Sequence, residues 1–362
     1  MDRTPPEVWV RIFSFACLDT GFTGRSLSLV SKYICEVSKP VKFQSIALHG
    51  HDQILAFAAL LERIPPHLRR VRNLLVSFYW GMKERQERLD VAQVNLFAVR
   101  GKLEADKERL EELCLQIKEL EDEYKQVVEE IWHAEGQGNF QGQLKNATSA
   151  FNSILCNVAA TVEILEVDLE ISTPIALPCL TDLTIYADFP LLRDGSPIFQ
   201  PCHSLRRLHL GYDNYQEPSN DFFGYISSFA PSLTHICFSC LQQNADLPAA
   251  LGRALRLPDA DAEERHSLPQ TVELVLIKPD PVPSGGCGNP VIKYSRMMHG
   301  CRELQAKDHG RVVLLRPSAD KKPWEQRQIT SSEQNDWLDA IVGGKGCWNT
   351  SDFDTGSDLE EE

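Results

Sequence analysis

Hydrophobic residues recur along this chain with three different periods, and each period predicts a different kind of element. Near the start, Val8, Ile12, Phe15 and Ala16 repeat at helical spacing, and Trp9 and Phe13 widen the stripe. Thr4-Pro5-Pro6-Glu7 ahead of them reads as a capping box, which places the helix start at Pro5. That helix ends near Asp19-Thr20-Gly21. A second helix begins after Thr23-Gly24, carries Leu27, Leu29, Val30, Tyr33 and Ile34, and stops before Pro40. Residues 43–76 read as strand, helix, strand: Phe43 to Leu48 is extended, and Asp52 caps a helix with Leu55, Ala58, Ala59 and Leu61. Pro65-Pro66 breaks that helix, and Val71, Leu74 and Val76 mark the second strand.

From Lys83 to about Ala134 the period becomes seven. One heptad position holds Leu89, Leu96, Leu103, Leu110, Ile117, Tyr124 and Ile131. The position three residues later holds Ala92, Val99, Asp106, Leu113, Leu120 and Val127. The pattern predicts a coiled-coil rod of about 75 Å. The rod is a candidate for self-association, and its basic first half and acidic second half favour an antiparallel pairing.

The second half repeats the unit apolar-x-x-apolar-x-apolar. It occurs at Val162/Leu165/Val167, Leu180/Leu183/Ile185, Leu205/Leu208/Leu210, Leu233/Ile236/Phe238 and Val272/Val275/Ile277, with Val71/Leu74/Val76 as an earlier copy. Helical segments fall between some copies, as at Phe151/Ile154/Leu155/Val158 and Phe222/Phe223/Ile226/Phe229. One strand and one return per 20–30 residues is the leucine-rich-repeat period, so an irregular leucine-rich-repeat-like solenoid is expected over an ordinary α/β domain with the same strands. A helix near Ile292–Cys301, a last strand Val312–Leu315 and a helix over Glu333–Val342 complete the series.

Charge sharpens the division. The 362 residues carry a net −14. Residues 82–135 and 348–362 contribute −6 each, so the remainder is almost neutral. No basic face emerges, which argues against nucleic acid as a partner. The acidic end, with few residues to bury, is expected to be disordered, and Ser351 and Ser357 lie in contexts that suit an acidophilic kinase. Eleven cysteines in apolar segments do not suggest a disulfide framework; Cys17, Cys156, Cys179 and Cys237 stand where small buried hydrophobes would. With no signal-peptide pattern and no apolar run of membrane-spanning length, a cytoplasmic or nuclear location is expected, with no membrane partner.

Thr4-Pro-Pro-Glu-Val-Trp-Val-Arg-Ile-Phe-Ser-Phe15, followed by Leu27-Ser-Leu-Val-Ser-Lys32, resembles an F-box. Thr4 stands where that family has a Leu, and Tyr33-Ile34 where a Trp closes the motif. The strand repeat and the ending Trp337–Trp348 resemble fungal F-box-like proteins. The resemblance implies a helical hook that docks on the Skp-type linker of a cullin ubiquitin ligase through Pro5, Pro6, Glu7, Val8, Ile12, Phe13, Leu29, Val30 and Lys32. The rest of the chain would bind an unknown protein target. The expected fold class is therefore α/β: an N-terminal helical F-box-like hook, then an irregular leucine-rich-repeat-like solenoid interrupted by a long coiled-coil helix. The expected divisions are 1–42, 43–80, 81–138, 139–316, 317–347 and 348–362. Two other readings compete with this one: a plain helical cap on the repeat, and a coiled-coil scaffold without a ubiquitin role.

Candidate chemistry is sparse. His49-Gly-His51-Asp52 suggests a metal hydrolase, but no further ligand is positioned by sequence and Asp52 has work as a helix cap. Cys237-Phe-Ser-Cys240 lacks the second pair of a zinc site. Gly343-Gly-Lys-Gly346 lacks the spacing of a phosphate-binding loop and reads as a turn after a helix. No catalytic residue, metal or cofactor is expected.

Overall fold

The computed structural model describes residues 4–78, 118, 137–171, 174–186, 200–211, 222–241, 245–257, 267–282, 289–308, 310–317 and 331–350. Three short helices open the chain: α1 (Pro6–Ala16), α2 (Phe22–Val30) and α3 (Lys32–Ser38). Helix α1 starts one residue later than the capping-box reading has it. Pro5 precedes a second proline, which excludes it from the helical region, and it adopts φ −58°, ψ 144°. Pro5 is therefore the N-cap, and Thr4 makes no side-chain cap. The single helix expected over 24–39 is two helices, broken at Ser31. Its backbone is extended there, and its hydroxyl accepts the Ile34 N–H at 3.1 Å.

Eight strands follow: β1 (Ser45–His49), β2 (Asn73–Ser77), β3 (Ile164–Val167), β4 (Asp182–Ile185), β5 (Arg207–Gly211), β6 (His235–Leu241), β7 (Leu274–Pro279) and β8 (Val312–Leu314). They form one sheet, all parallel and in strict sequence order. The register aligns two apolar rows across it. One runs Ile46, Leu74, Leu165, Leu183, Leu208, Ile236, Val275, Val312. The other runs Leu48, Val76, Val167, Ile185, Leu210, Phe238, Ile277, Leu314. Both rows lie in one buried cluster with residues from α4 (Gly50–Arg63), α5 (Gln137–Val158), α6 (Phe222–Phe229), α7 (Leu247–Ala254) and α8 (Asn289–Lys307). The row between them, Ala47, Leu75, Glu166, Thr184, His209, Cys237, Leu276, Val313, points to the opposite face. There Ala47, Leu75 and Tyr186 pack with Trp337 and Ile341 of α9 (Ser331–Ile341).

A repeated stitch sets the register at the strand entrances. The Gln44 carbonyl accepts both the Arg72 and Asn73 N–H groups, at 2.8 and 3.0 Å; the Arg72 carbonyl accepts those of Glu163 and Ile164, at 2.7 and 3.0 Å. Glu163, Thr181, Arg206 and Thr234 do the same for the strand after each. Hydroxyls of Thr161, Thr181, Thr234 and Thr271 reach back to carbonyls at the entrance of the preceding strand. At the other end of β2, buried Asp168 accepts the Ser77 hydroxyl at 2.6 Å and the Phe78 N–H at 2.7 Å, tying β2 to the end of β3.

This architecture overturns the expected leucine-rich-repeat-like solenoid interrupted by a coiled coil. The ordinary α/β alternative holds instead. The repeat correctly marks strands, but they merge into one sheet with side chains buried against helices on both faces, as parallel strands require. Nor is the sheet interrupted: β2 pairs directly with β3 across the heptad segment. The heptad residues Leu89, Leu96, Leu103, Leu110, Leu113, Ile117, Leu120, Tyr124, Val127 and Ile131 lie outside the described residues, as does the acidic end from residue 351. Helix α7 had no counterpart in the sequence reading. Asp52 lies in the first turn of α4, whose N-cap is His49. Cys17 and Cys237 are buried as expected, but Cys156 and Cys179 are exposed. Among the described residues, no helix is long and apolar enough to cross a membrane.

Leu208 is central in the first row and fully buried. Replacing it with Asp removes a core side chain and buries a charge, a loss of at least about 3–5 kcal/mol against a total of about 5–15. Leu208→Asp should therefore abolish the cooperative thermal transition, whereas Leu60→Asp, at an exposed position of α4, should leave it within a few degrees. A folded Leu208→Asp protein would contradict the register.

Candidate functional site

The N-terminal helices are built around a small core of Phe13, Ile34 and Val41, with Trp9, Val10, Leu27 and Val37 against it. The Trp9 and Phe13 rings stack with centroids 5.5 Å apart. Helix α2 is N-capped by Gly21, whose φ of +95° suits glycine, and the Asp19 carboxylate accepts the Gly21 and Thr23 N–H groups at 2.8 and 2.9 Å. Gly24 is buried where the chain returns beneath it: a Cβ there would lie 2.0 Å from the Lys42 carbonyl oxygen. This close approach is what lets α2 sit on the turn leading into β1.

Three bonds fasten the unit to the sheet edge. The Gln44 side-chain amide donates to the Ser14 carbonyl at 2.9 Å, the Ser45 hydroxyl to the Asp19 carbonyl at 2.5 Å, and the Ala47 N–H to the Thr20 carbonyl at 3.3 Å. The last of these places Thr20 against β1, on the edge opposite β2.

Fixing one side of the helices leaves their other side open. Val8, Ile12 and Phe15, spaced i, i+4 and i+7, form a stripe along α1, with Ile12 47% exposed. Leu29 (81% exposed) and Val30 close α2, Tyr33 lies in the first turn of α3, and Phe22 opens α2; all are exposed. Large apolar side chains left to water in this number make this side of the helices the candidate contact surface. Of the residues expected to meet a linker, Pro5, Pro6, Glu7, Val8, Ile12, Leu29, Val30 and Lys32 are exposed. Phe13 is not: at 5% exposure it belongs to the internal core, because the stacked Trp9 and Phe13 turn inward and Val8 and Ile12 outward. Phe15, Phe22 and Tyr33 are exposed residues that the sequence reading left out of that set. The i+7 spacing from Val8 was the available signal for Phe15.

The other candidate motifs gather no chemistry. His51 Nδ1 lies 2.9 Å from the Asp52 carboxylate on the surface, and His49 precedes α4, its ring pulled toward the neutral form by burial. Among the described residues no three His, Cys, Asp or Glu side chains are grouped to hold a metal ion. Cys237 is buried in β6. Gly343 and Gly346 have positive φ in the turn after α9, where the Asp339 carboxylate accepts the Gly346 N–H at 2.8 Å; the turn ends a helix, whereas a phosphate loop begins one.

No family model, curated protein or solved structure matches the chain.

Cys17, at the end of α1, gives a chemical handle on this unit. Burial, and after it the neighbouring Asp19 carboxylate, pushes its thiol up to about 11. At pH 8 its thiolate fraction is then on the order of a hundredfold below that of an ordinary cysteine. Iodoacetamide at pH 8 should therefore label Cys156 and Cys179 well before Cys17, as peptide mass analysis would read. Labelling of Cys17 at the same rate would mean that the helices do not close over it.

Proposed function

We propose that the chain is a substrate-recognition adaptor of a Skp–cullin–F-box ubiquitin ligase, docking on the Skp-type linker through its N-terminal helices and presenting a protein target on the remainder. The observation that carries this reading is the outward apolar stripe of α1 together with Leu29 and Val30, in a segment whose sequence resembles an F-box. In this reading Phe13, buried inside the unit, supports the contact from behind, and the exposed Phe15, Phe22 and Tyr33 join it as candidates. Full burial of a Val, Leu, Ile or Phe contributes about 1.5–3 kcal/mol, so a few such anchors supply the gross energy of a specific contact before association entropy is subtracted. Glu7 and Lys32 would lie at its polar rim.

Because Ile12 and Leu29 are exposed, charging them tests docking without opening a core. The full chain should retain purified Skp-type linker in a pull-down. Ile12→Asp and Leu29→Asp should each lower retention at least about tenfold with an unchanged thermal transition, and Leu60→Asp should not. Equal retention by all four proteins, or none by the unaltered chain, would defeat the proposal.

A further inference from the structure

The second face of the sheet carries a group that its own protein leaves unsatisfied. Glu166 stands in the middle row between Leu75 and Thr184, is 6% exposed, and among the described residues its Oε1 accepts no hydrogen bond. A buried polar atom without a partner is strongly unfavourable, and native chains leave few of them. Glu166 lines a slot between strands β3–β5 and the segment formed by α9 and the turn after it. The slot is partly open to solvent and holds about 30 Å³, room for one or two water-sized groups.

The lining selects the occupant. Besides Glu166 it includes the carboxyl residues Asp182, Glu333 and Asp336, and the aromatic rings of Tyr186, Trp337 and Trp348. Among the described residues of the lining the one Arg or Lys, Arg207, is already engaged with Asp182. A lining with four carboxyl residues disfavours an anion. The slot suits a compact cation with several N–H donors that also gains from aromatic faces. An ammonium fits the space better than a planar guanidinium, and its three donors can reach the orphaned oxygen. Among the described residues no three ligand side chains converge here as a divalent metal requires. We propose that this slot binds the primary ammonium group of an alkylamine, either a lysine side chain of a partner protein or a free amine. The proposal is independent of the adaptor reading.

A proton competes for the same oxygen. Burial, and after it the carboxylates of Glu333, Asp336 and Asp168, holds the Glu166 carboxyl well above the usual carboxylate range, with His209, Arg207, Asp182 and Cys347 also around the slot. Binding therefore exchanges one for the other: the neutral carboxyl gives its proton to solvent as the ammonium arrives and pairs with the carboxylate. While Glu166 is protonated in the free protein, affinity rises tenfold per pH unit, up to the pH at which the amine itself loses its proton.

Calorimetry on the full chain tests this with n-butylammonium chloride as probe, at pH 6.5 and 7.5, in buffers of different ionisation enthalpy. Saturable binding with net proton release and a higher affinity at pH 7.5 than at pH 6.5 is expected. Tetramethylammonium, which has no N–H donor, should not bind, and Glu166→Gln should remain folded and lose butylammonium binding. Absence of saturable butylammonium binding, equal binding of tetramethylammonium, or undiminished binding by Glu166→Gln would each overturn the assignment. Nα-acetyl-lysine methylamide separates the two sources: affinity equal to or above that of butylammonium assigns the slot to a lysine side chain, and weaker affinity to a free amine.

Discussion

The parallel ladder, stitched at the entrances of β2 to β7 by a carbonyl that accepts two N–H groups, is the constraint from which the rest of the molecule follows. Once each strand is registered on the one before it, every second residue falls into a common row. Two rows become continuous bands of Leu, Ile, Val and Phe, which must be covered; helices α4–α8 cover them. The intervening row is mixed, and there α9 supplies Trp337 and Ile341 to cover Ala47 and Leu75 while Glu166 is trapped in the same layer. The apolar core and the unsatisfied carboxyl are thus two results of one register. A shift by a single residue would exchange them, placing Glu166 among the leucines.

The N-terminal helices depend on the same sheet. They pack beside β1, held by the bonds at Gln44, Ser45 and Ala47 and by the close seat of Gly24 on Lys42. That attachment uses one side of a short three-helix unit and leaves it too small to bury all its apolar residues. The Val8–Ile12–Phe15 stripe is the remainder. Its residues contribute little to the unit's own stability, and the proposed docking would take them out of water.

Much of the sheet was legible in the sequence, because the triplets ending at Val76, Val167, Ile185, Leu210, Phe238 and Ile277 combine period-two burial with an apolar residue in the turn before each strand. The same triplets could not say whether their strands would form a solenoid or a sheet covered on both faces. That depends on where α9 lies, and the sequence of α9 names no target face. Local chemistry explains the smaller misses. Consecutive prolines moved the α1 cap from Thr4 to Pro5, and Ser31, inside an apolar run, took the role of a cap. Phe13 and Ile12 are adjacent hydrophobes on one helix, and only packing against Ile34 and Val41 decided which faced inward. The orphaned Glu166 was invisible beforehand, since an isolated Glu in a strand normally faces solvent.

Hydrogen exchange of the full chain, alone and with the Skp-type linker, examines the claim that the open side of α1–α3 is the docking surface. Slowed exchange confined to amides within residues 5–33, with the strand amides unchanged, is the predicted result. Protection that falls on the sheet or its helical layer and spares residues 5–33, or no change anywhere, would contradict it.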